Sequence, residues 1–266
     1  MGEQQERFNP FPGLRPFTEE EDYLFFGREA QSNGLLRRLR GTRFLAVVGT
    51  SGSGKSSLVR AGLIPALHGG FMTQAGSSWR VALMHPCNNP IGALAATLNE
   101  PDVFRITAED TADDISQTLI TETNLRRNIL GLVEVVRQGC IGKEENLLVI
   151  VDQFEKLFRF QEATRDTHSH HDSAAFVKLL LEANRATTIP IYIVLTMRSD
   201  FLGDCAQFRD LPEATNDGQF LIPRMTRDQR RQAIEGRIAV GGAKTTRRLL
   251  QQLLNDVGDY PDQLPI

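Results

Sequence analysis

A run of eight residues has the residue types and the spacing of a loop that binds phosphate groups. It follows the pattern GxxxxGK[ST] and comprises Gly49, Thr50, Ser51, Gly52, Ser53, Gly54, Lys55 and Ser56. The apolar run at residues 44–48 precedes it and a helical pattern follows it, which is the context that makes the pattern specific. Glycines let the backbone wind tightly around a phosphate, while backbone amides and a helix N-terminus supply positive potential.

Two residues of this loop extend the prediction to a nucleotide and its metal ion. The ammonium group of Lys55 suits the β- and γ-phosphates, and the hydroxyl of Ser56 suits Mg²⁺, which prefers oxygen ligands. A second metal ligand is commonly an acid at the end of a neighbouring buried strand, and Asp152 directly follows the apolar run LLVIV. The alternative for Asp152 is an ordinary helix cap or turn residue.

Hydrolysis of a bound nucleotide needs further groups near the γ-phosphate. Gln153 follows Asp152, so an Asp-Glu pair is absent and Glu155 is the remaining candidate to orient water. Its alternative is an exposed helical glutamate paired with a cation. Arg198 ends another apolar run, at the strand edge where ligands of open α/β sheets bind, and is a candidate sensor of the γ-phosphate. Its alternative is a salt bridge to Asp200 or Asp204.

The elements that must position these residues alternate between apolar strands and helical patterns. Strands are predicted at residues 44–48, 81–84, 147–151, 191–195 and 220–222. Helices are predicted at residues 29–40, from Ser56 onward, and at 91–98, 125–137, 174–186, 227–239 and 245–256. This order indicates a three-layer α/β/α fold with a parallel sheet.

The chain divides into three predicted segments. Residues 1–26 form a proline-rich arm, residues 27–223 the α/β core, and residues 224–266 a helical segment in which the strand signals stop. The basic run at residues 224–248 is expected to be exposed helix surface, although a patch that binds nucleic-acid phosphates is an alternative. No aromatic residue lies between its arginines, so nucleic acid is not the expected partner.

Composition and targeting signals exclude several classes of protein. With 266 residues, 41% of them hydrophobic, and a net charge of -3, the chain resembles neither a polybasic membrane binder nor a nucleic-acid coat protein. Three cysteines without a CxxC pair exclude a disulfide scaffold. The longest apolar stretch, residues 189–197, is far shorter than the roughly 20 residues of a membrane span, and no secretion signal is present. A cytoplasmic protein with no membrane partner is expected.

A polar segment, HSHHD at residues 168–172, holds four potential ligands for Zn²⁺ or Ni²⁺. Adjacent ligands between two helical patterns, without partner ligands elsewhere, more often form a hydrated surface loop. We therefore expect a loop without a metal ion at this segment.

Several segments together resemble one family, the bacterial novel STAND NTPase 1 group of signal-transduction ATPases. They are NPFPGLRPF with FGRE near the N-terminus, GTSGSGKSSLVRAGLIPAL, LLVIVDQFEKLF, LTMRSDFLGDC and LNDVGDYPDQLPI. The resemblance covers nearly the whole chain. It implies that Phe26 and Arg28 line an adenine pocket and that Ser57 assists at the α-phosphate. It also implies that Pro265 packs on the nucleotide from a helical lid that is only partial here.

The same resemblance implies a P-loop NTPase that works as an ATP/ADP-dependent switch in signal transduction or defence. Slow Mg²⁺-dependent hydrolysis resets such a switch, with Lys55, Glu155 and Arg198 as the catalytic residues. Protein partners or self-association are implied for the full-length form. Two positions depart from the family pattern: Gln263 replaces a glycine, and Lys156 stands where relatives usually carry a second acid. Alternatives are a non-hydrolysing module with ADP as a structural cofactor, and a nucleic-acid-dependent ATPase.

Overall fold

The structure, a computed structural model, describes residues 9–72, 75–104, 114–139, 145–164, 167–187 and 189–256. The segment around Pro265 and Gln263 lies outside these residues.

Within the described ranges, five strands form one parallel sheet in the order β2-β3-β4-β1-β5. The strands are β1 (Phe44–Gly49), β2 (Trp79–Met84), β3 (Asn146–Val151), β4 (Ile191–Arg198) and β5 (Gln219–Leu221). All residues of β1 and β3 are buried, which is why both are continuously apolar apart from their first or last residue. Because β4 lies between β3 and β1, Asp152 does not end the strand next to β1, contrary to the sequence-based expectation.

Helices follow the strands in alternation, as the sequence pattern predicts. They are α1 (Glu29–Thr42), α2 (Lys55–Ser57), α3 (Ile64–His68), α4 (Pro90–Leu98), α5 (Asp114–Arg127), α6 (Gly131–Gln138), α7 (Lys156–Thr164), α8 (Thr167–Arg185), α9 (Leu211–Gly218), α10 (Arg227–Val240) and α11 (Arg247–Asp256). A π-helical stretch, Leu58–Leu63, joins α2 to α3, and 3₁₀ segments lie at Glu19–Leu24 and Ser199–Gln207. The α/β P-loop NTPase fold class is therefore confirmed.

Two local predictions are wrong. The single helix expected at residues 125–137 is two helices, because Asn128 accepts the amide of Leu130 and interrupts the backbone ladder. Gly131 then lets α6 begin close to α5, where a Cβ would lie 2.5 Å from the Leu125 carbonyl oxygen. The backbone of the HSHHD segment belongs to α8 rather than to a loop. No group of metal-ligating side chains occurs among the described residues.

The chain packs as two compact units that do not follow its linear order. One unit contains the described parts of Met1–Gly34, Gly49–Ala66 and Ile222–Ile266, and the other contains Leu35–Val48 and Leu67–Leu221. The second unit holds the sheet and the large apolar core around it. The first holds two smaller clusters, one around Phe17 and Leu24 and one around Ile234. The segment limits at residues 26 and 223 stay predictions.

None of the described helices is both long enough and apolar enough to cross a membrane.

Candidate functional site

The phosphate loop has a backbone that only glycine adopts easily. Gly52 and Gly54 have φ angles of 72° and 85°, in the left-handed region where other residues are strained. At Gly49, an added Cβ would lie 2.6 Å from the Ser53 hydroxyl oxygen. The three glycines therefore allow the chain to turn sharply from β1 into the helix that begins at Lys55.

Two polar side chains of this loop are an ammonium group and a buried hydroxyl. The Lys55 ammonium donates to the carbonyl oxygens of Gly49 at 3.2 Å and Thr50 at 2.7 Å. The Ser53 hydroxyl is buried and has no hydrogen-bond partner among the described residues. A buried hydroxyl without a partner costs stability, so its presence fits a loop that accommodates a polar ligand.

Arg28 adds a buried positive charge to the same unit. Its side chain donates to the carbonyl oxygen of Pro223 at 2.7 Å and to that of Ser53 at 3.5 Å, and its residue is only 5% exposed. Burial lowers the pKa of Arg28 to about 10, which leaves it protonated at neutral pH. A buried cation held only by carbonyl oxygens in the described structure, at the phosphate loop, favours an anionic ligand.

The other residues implied to contact the nucleotide are placed as follows. The ring of Phe26 packs on α10, where a Cβ on Gly236 would lie 2.6 Å from it. The hydroxyl of Ser57 accepts the backbone amide of Phe17 at 3.2 Å. Ser56 is half-buried at the start of the helix. Pro265 lies outside the described residues.

In the other unit, Asp152 lies at the end of β3 in a hydrogen-bonded network. The residue is 1% exposed, and its carboxylate oxygen Oδ1 accepts the hydroxyl of Thr196 at 2.6 Å. The backbone amide of Gln153 donates to the same Thr196 hydroxyl at 2.9 Å, and Nδ1 of His85 bonds the Asp152 carbonyl oxygen at 3.0 Å. Thr196 therefore fixes the orientation of the carboxylate from the neighbouring strand.

Glu155 is buried, unlike the residue that directly follows Asp152. Gln153 is exposed and has a φ angle of 60°, so the chain turns tightly between β3 and α7. Glu155 is 7% exposed, and its oxygen Oε2 has no hydrogen-bond partner among the described residues. This burial contradicts the alternative of an exposed glutamate paired with a cation.

Arg198 forms a salt bridge with Asp200, which the sequence analysis gave as the alternative to a γ-phosphate sensor. Its Nε donates to Asp200 Oδ1 at 3.0 Å, and its guanidinium lies 5.4 Å from the ring centre of Phe201. The hydrogen bond to Asp200 raises the pKa of Arg198, and the negative charge of Glu155 contributes to the same shift. Partly exposed pairs of this kind contribute little stability, so Arg198 can change partner at small cost.

Comparison with known proteins decides the family. The family model of the novel STAND NTPase 1 group matches residues 10–266. The chain belongs to this family.

Solved structures similar to this STAND NTPase share its fold at low identity. The ADP form of the ORC2 protein of Aeropyrum pernix has a TM-score of 0.57 at 15% identity, over 98% of this chain and 62% of that one. A Walker-type ATPase of Pyrococcus abyssi has a TM-score of 0.53 at 16% identity, over 96% and 69%. A chain of the HORMA:CdnC:Trip13 complex of E. coli MS115-1 has a TM-score of 0.53 at 13% identity, over 95% of this chain and 85% of that one. The STAND NTPase chain thus spans about two thirds of the length of the first two of these structures. No curated protein matches it.

Sequence reasoning missed two residues that contact candidate site residues of this STAND NTPase, Thr196 and Phe17, and the burial of a third residue, Arg237. Thr196 was detectable as the polar residue within the apolar run IYIVLTM of β4. Phe17 contacts Ser57 through its backbone, for which a side-chain pattern carries no signal. Arg237 lies in the basic run expected to be exposed, yet it is only 6% exposed.

The Thr196 hydroxyl supports both Asp152 and the turn after it, which gives a prediction. Thr196→Val removes a donor to a buried carboxylate and leaves the Gln153 amide without its acceptor. We expect the free energy of unfolding to fall by about 3 kcal/mol. Thr196→Ser, the matched control, keeps the hydroxyl and should lose less than about 1 kcal/mol. Urea unfolding measures both, and equal losses in the two variants would contradict the network.

Proposed function

We propose that the chain binds ATP and ADP and works as a molecular switch that slow Mg²⁺-dependent hydrolysis resets. The observation that carries this proposal is the phosphate loop, with its left-handed glycines, its Lys55 ammonium and its orphaned Ser53 hydroxyl. Chemistry of this kind recognises a chain of phosphates rather than a single neutral group.

Residues of the first unit bind the nucleotide in this proposal. Amides of the loop, from Gly49 to Ser56, surround the β-phosphate, and Lys55 exchanges its carbonyl partners for phosphate oxygens. Arg28 supplies a second charge beside the loop, where burial strengthens its effect on an anion. Adenine as the base is supported by the family and by a neighbour of the same fold that is described in an ADP form. Phe26 is proposed to line the adenine pocket. Pro265, which lies outside the described residues, is proposed to pack on the nucleotide.

Ser56 and Asp152 are the proposed magnesium ligands. Their oxygens fit the preference of this ion, and the described residues offer no cluster of three or more acidic, histidine or cysteine ligands. Water and phosphate oxygens would complete the coordination, as is usual for this ion. When bound, the metal ion neutralises phosphate charge. Thr196 helps to orient Asp152 by donating to its carboxylate oxygen Oδ1.

Glu155 and Arg198 are proposed to act at the γ-phosphate. Glu155 has a buried carboxylate oxygen without a partner in the described structure, which suits a group that orients an attacking water. Arg198 stabilises charge that develops on the transferred group. It must leave Asp200 to do so, and the partly exposed salt bridge makes this exchange possible at small cost.

The second candidate function is a module that retains ADP as a structural cofactor without hydrolysis. The pairing of Arg198 with Asp200 favours it, because a sensor that stays in this salt bridge does not reach the nucleotide. A nucleic-acid-dependent ATPase is less well supported, since Arg237 is buried and Arg227 bonds Gln251 and Asn255 within the helical segment. Protein partners or self-association and a cytoplasmic location complete the proposal.

Removal of the Lys55 charge tests nucleotide binding. Lys55→Ala should weaken ATP and ADP affinity at least 100-fold, because charge-assisted bonds of about 1.5–3 kcal/mol each are lost from the ligand. Thermal unfolding should change little, since the side chain lies outside the apolar core. Isothermal titration calorimetry measures the affinity, and Lys178→Ala, an exposed lysine on α8, is the charge control. Unchanged affinity in Lys55→Ala would refute the phosphate-loop assignment.

Glu155→Gln separates the switch from the cofactor module. The variant keeps the size of the side chain and removes its charge, so ADP affinity should stay within about twofold while ATP hydrolysis falls at least tenfold. Single-turnover hydrolysis with excess protein gives the rate, and titration gives the affinity. Wild type that binds ATP but does not hydrolyse it would favour the cofactor module. An equal loss of ADP affinity would assign Glu155 to structure.

A further inference from the structure

The hydroxyl of Ser57 is held in one orientation by the N-terminal arm. It accepts the backbone amide of Phe17 at 3.2 Å, across a sequence separation of 40 residues. A serine hydroxyl has one proton to donate in addition to the lone pairs that accept. Because the Phe17 amide approaches a lone pair, this bond does not use the proton of Ser57, which can be donated to another acceptor such as a phosphate oxygen.

The arm around Phe17 has polar contacts of its own. Arg15 and Glu21 form a two-point salt bridge, in which Nη1 lies 2.6 Å from Oε2. The Glu21 carboxylate also accepts the amide of Thr18 at 3.0 Å, which closes a capping box before the 3₁₀ segment. The Arg15 guanidinium holds the pKa of Glu21 at about 2, so the bridge stays charged at neutral pH. These contacts lie on either side of Phe17 in the chain.

Arg237 of α10 contacts the arm around Phe17. Its Nε donates to the carbonyl oxygen of Leu24 at 3.2 Å, and its guanidinium lies 4.6 Å from the ring centre of Phe17 and 5.9 Å from that of Phe11. Burial lowers the pKa of Arg237 to about 10, so the side chain is a cation at neutral pH. Buried cation–π contacts of this kind are stronger than exposed ones.

The contact between α10 and the segment Phe26–Gly27 leaves little room for movement. A Cβ on Gly27 would lie 2.5 Å from the Gln229 carbonyl oxygen, and one on Gly236 would lie 2.6 Å from the Phe26 ring. Gly27 thus allows the close approach of two backbones, and Gly236 allows the Phe26 ring to lie against α10. A displacement of α10 must consequently disturb the arm rather than be absorbed by loose packing.

We propose that Phe17 and Arg237 are positioning residues that connect α10 to the phosphate loop through the hydroxyl of Ser57. This inference rests on the proposed function and adds a regulatory path to it. When α10 is docked, Arg237 holds Phe17, the Phe17 amide holds Ser57, and Ser57 donates to a nucleotide phosphate. Since coupling between two sites is reciprocal, a bound nucleotide also stabilises the docked arm and α10.

The contact between Arg237 and Phe17 is tested first without nucleotide. Arg237→Met keeps the aliphatic stem and removes the guanidinium, and it should speed hydrogen exchange at the Phe17 amide at least tenfold. Arg231→Met, on the same helix but paired with Asp228, is the matched control and should leave that amide unchanged. Circular dichroism verifies that both variants fold. Phe17→Leu, which keeps the amide and removes the ring, should act like Arg237→Met. Unchanged hydrogen exchange at this amide in both Arg237→Met and Phe17→Leu would overturn the proposal.

The path through Ser57 is tested by a double-mutant cycle on ADP affinity. Arg237→Met and Ser57→Ala should each weaken ADP binding about tenfold, and the double variant should be within twofold of Ser57→Ala alone. A merely structural Arg237 would give additive losses, and additivity would overturn the proposal. If wild type binds no nucleotide, the proposed function fails and the path with it. If wild type binds ADP and the losses add, only the path fails.

Discussion

A loop that presents backbone amides to phosphates must be free of side chains where the chain turns. This constraint explains the left-handed Gly52 and Gly54, and it explains why Ser53 approaches Gly49 too closely for any Cβ there. The continuously apolar β1 fixes the start of the loop, because a strand buried on both faces cannot shift its register cheaply. The helix from Lys55 onward then fixes the orientation of the last amides.

Three of the charged residues proposed to bind ligand or to do chemistry are buried. Asp152, Glu155 and Arg28 are each at most 7% exposed, and burial of a charge is costly unless partners offset it. Asp152 has Thr196, and Arg28 has two carbonyl oxygens, whereas Glu155 retains one oxygen without a partner in the described structure. Stability alone does not account for such groups. The proposed ligand, with its phosphates, metal ion and water, would supply partners for them.

The sequence predicted the framework well because its signals are local. Apolar runs located all five strands to within a few residues, and the GxxxxGK[ST] pattern located the phosphate loop. The strand order was not predictable in the same way: nothing local places β4 between β1 and β3, so the support of Asp152 by Thr196 was missed. Backbone contacts such as that of Phe17 leave no pattern in side chains. Arg237 was assigned to the surface because charge runs usually are exposed, and only packing against the arm reveals its burial.

A crystal structure of the chain grown with saturating ADP and Mg²⁺ would show whether the loop binds phosphate. We expect the β-phosphate within the loop, bound by the amides of residues 52–56, with the Lys55 ammonium moved from the Thr50 carbonyl oxygen onto the phosphate. We also expect Ser57 to keep the Phe17 amide while it donates to the nucleotide. An unchanged loop with Lys55 still on Gly49 and Thr50, and ADP absent or bound elsewhere, would refute nucleotide binding by this loop.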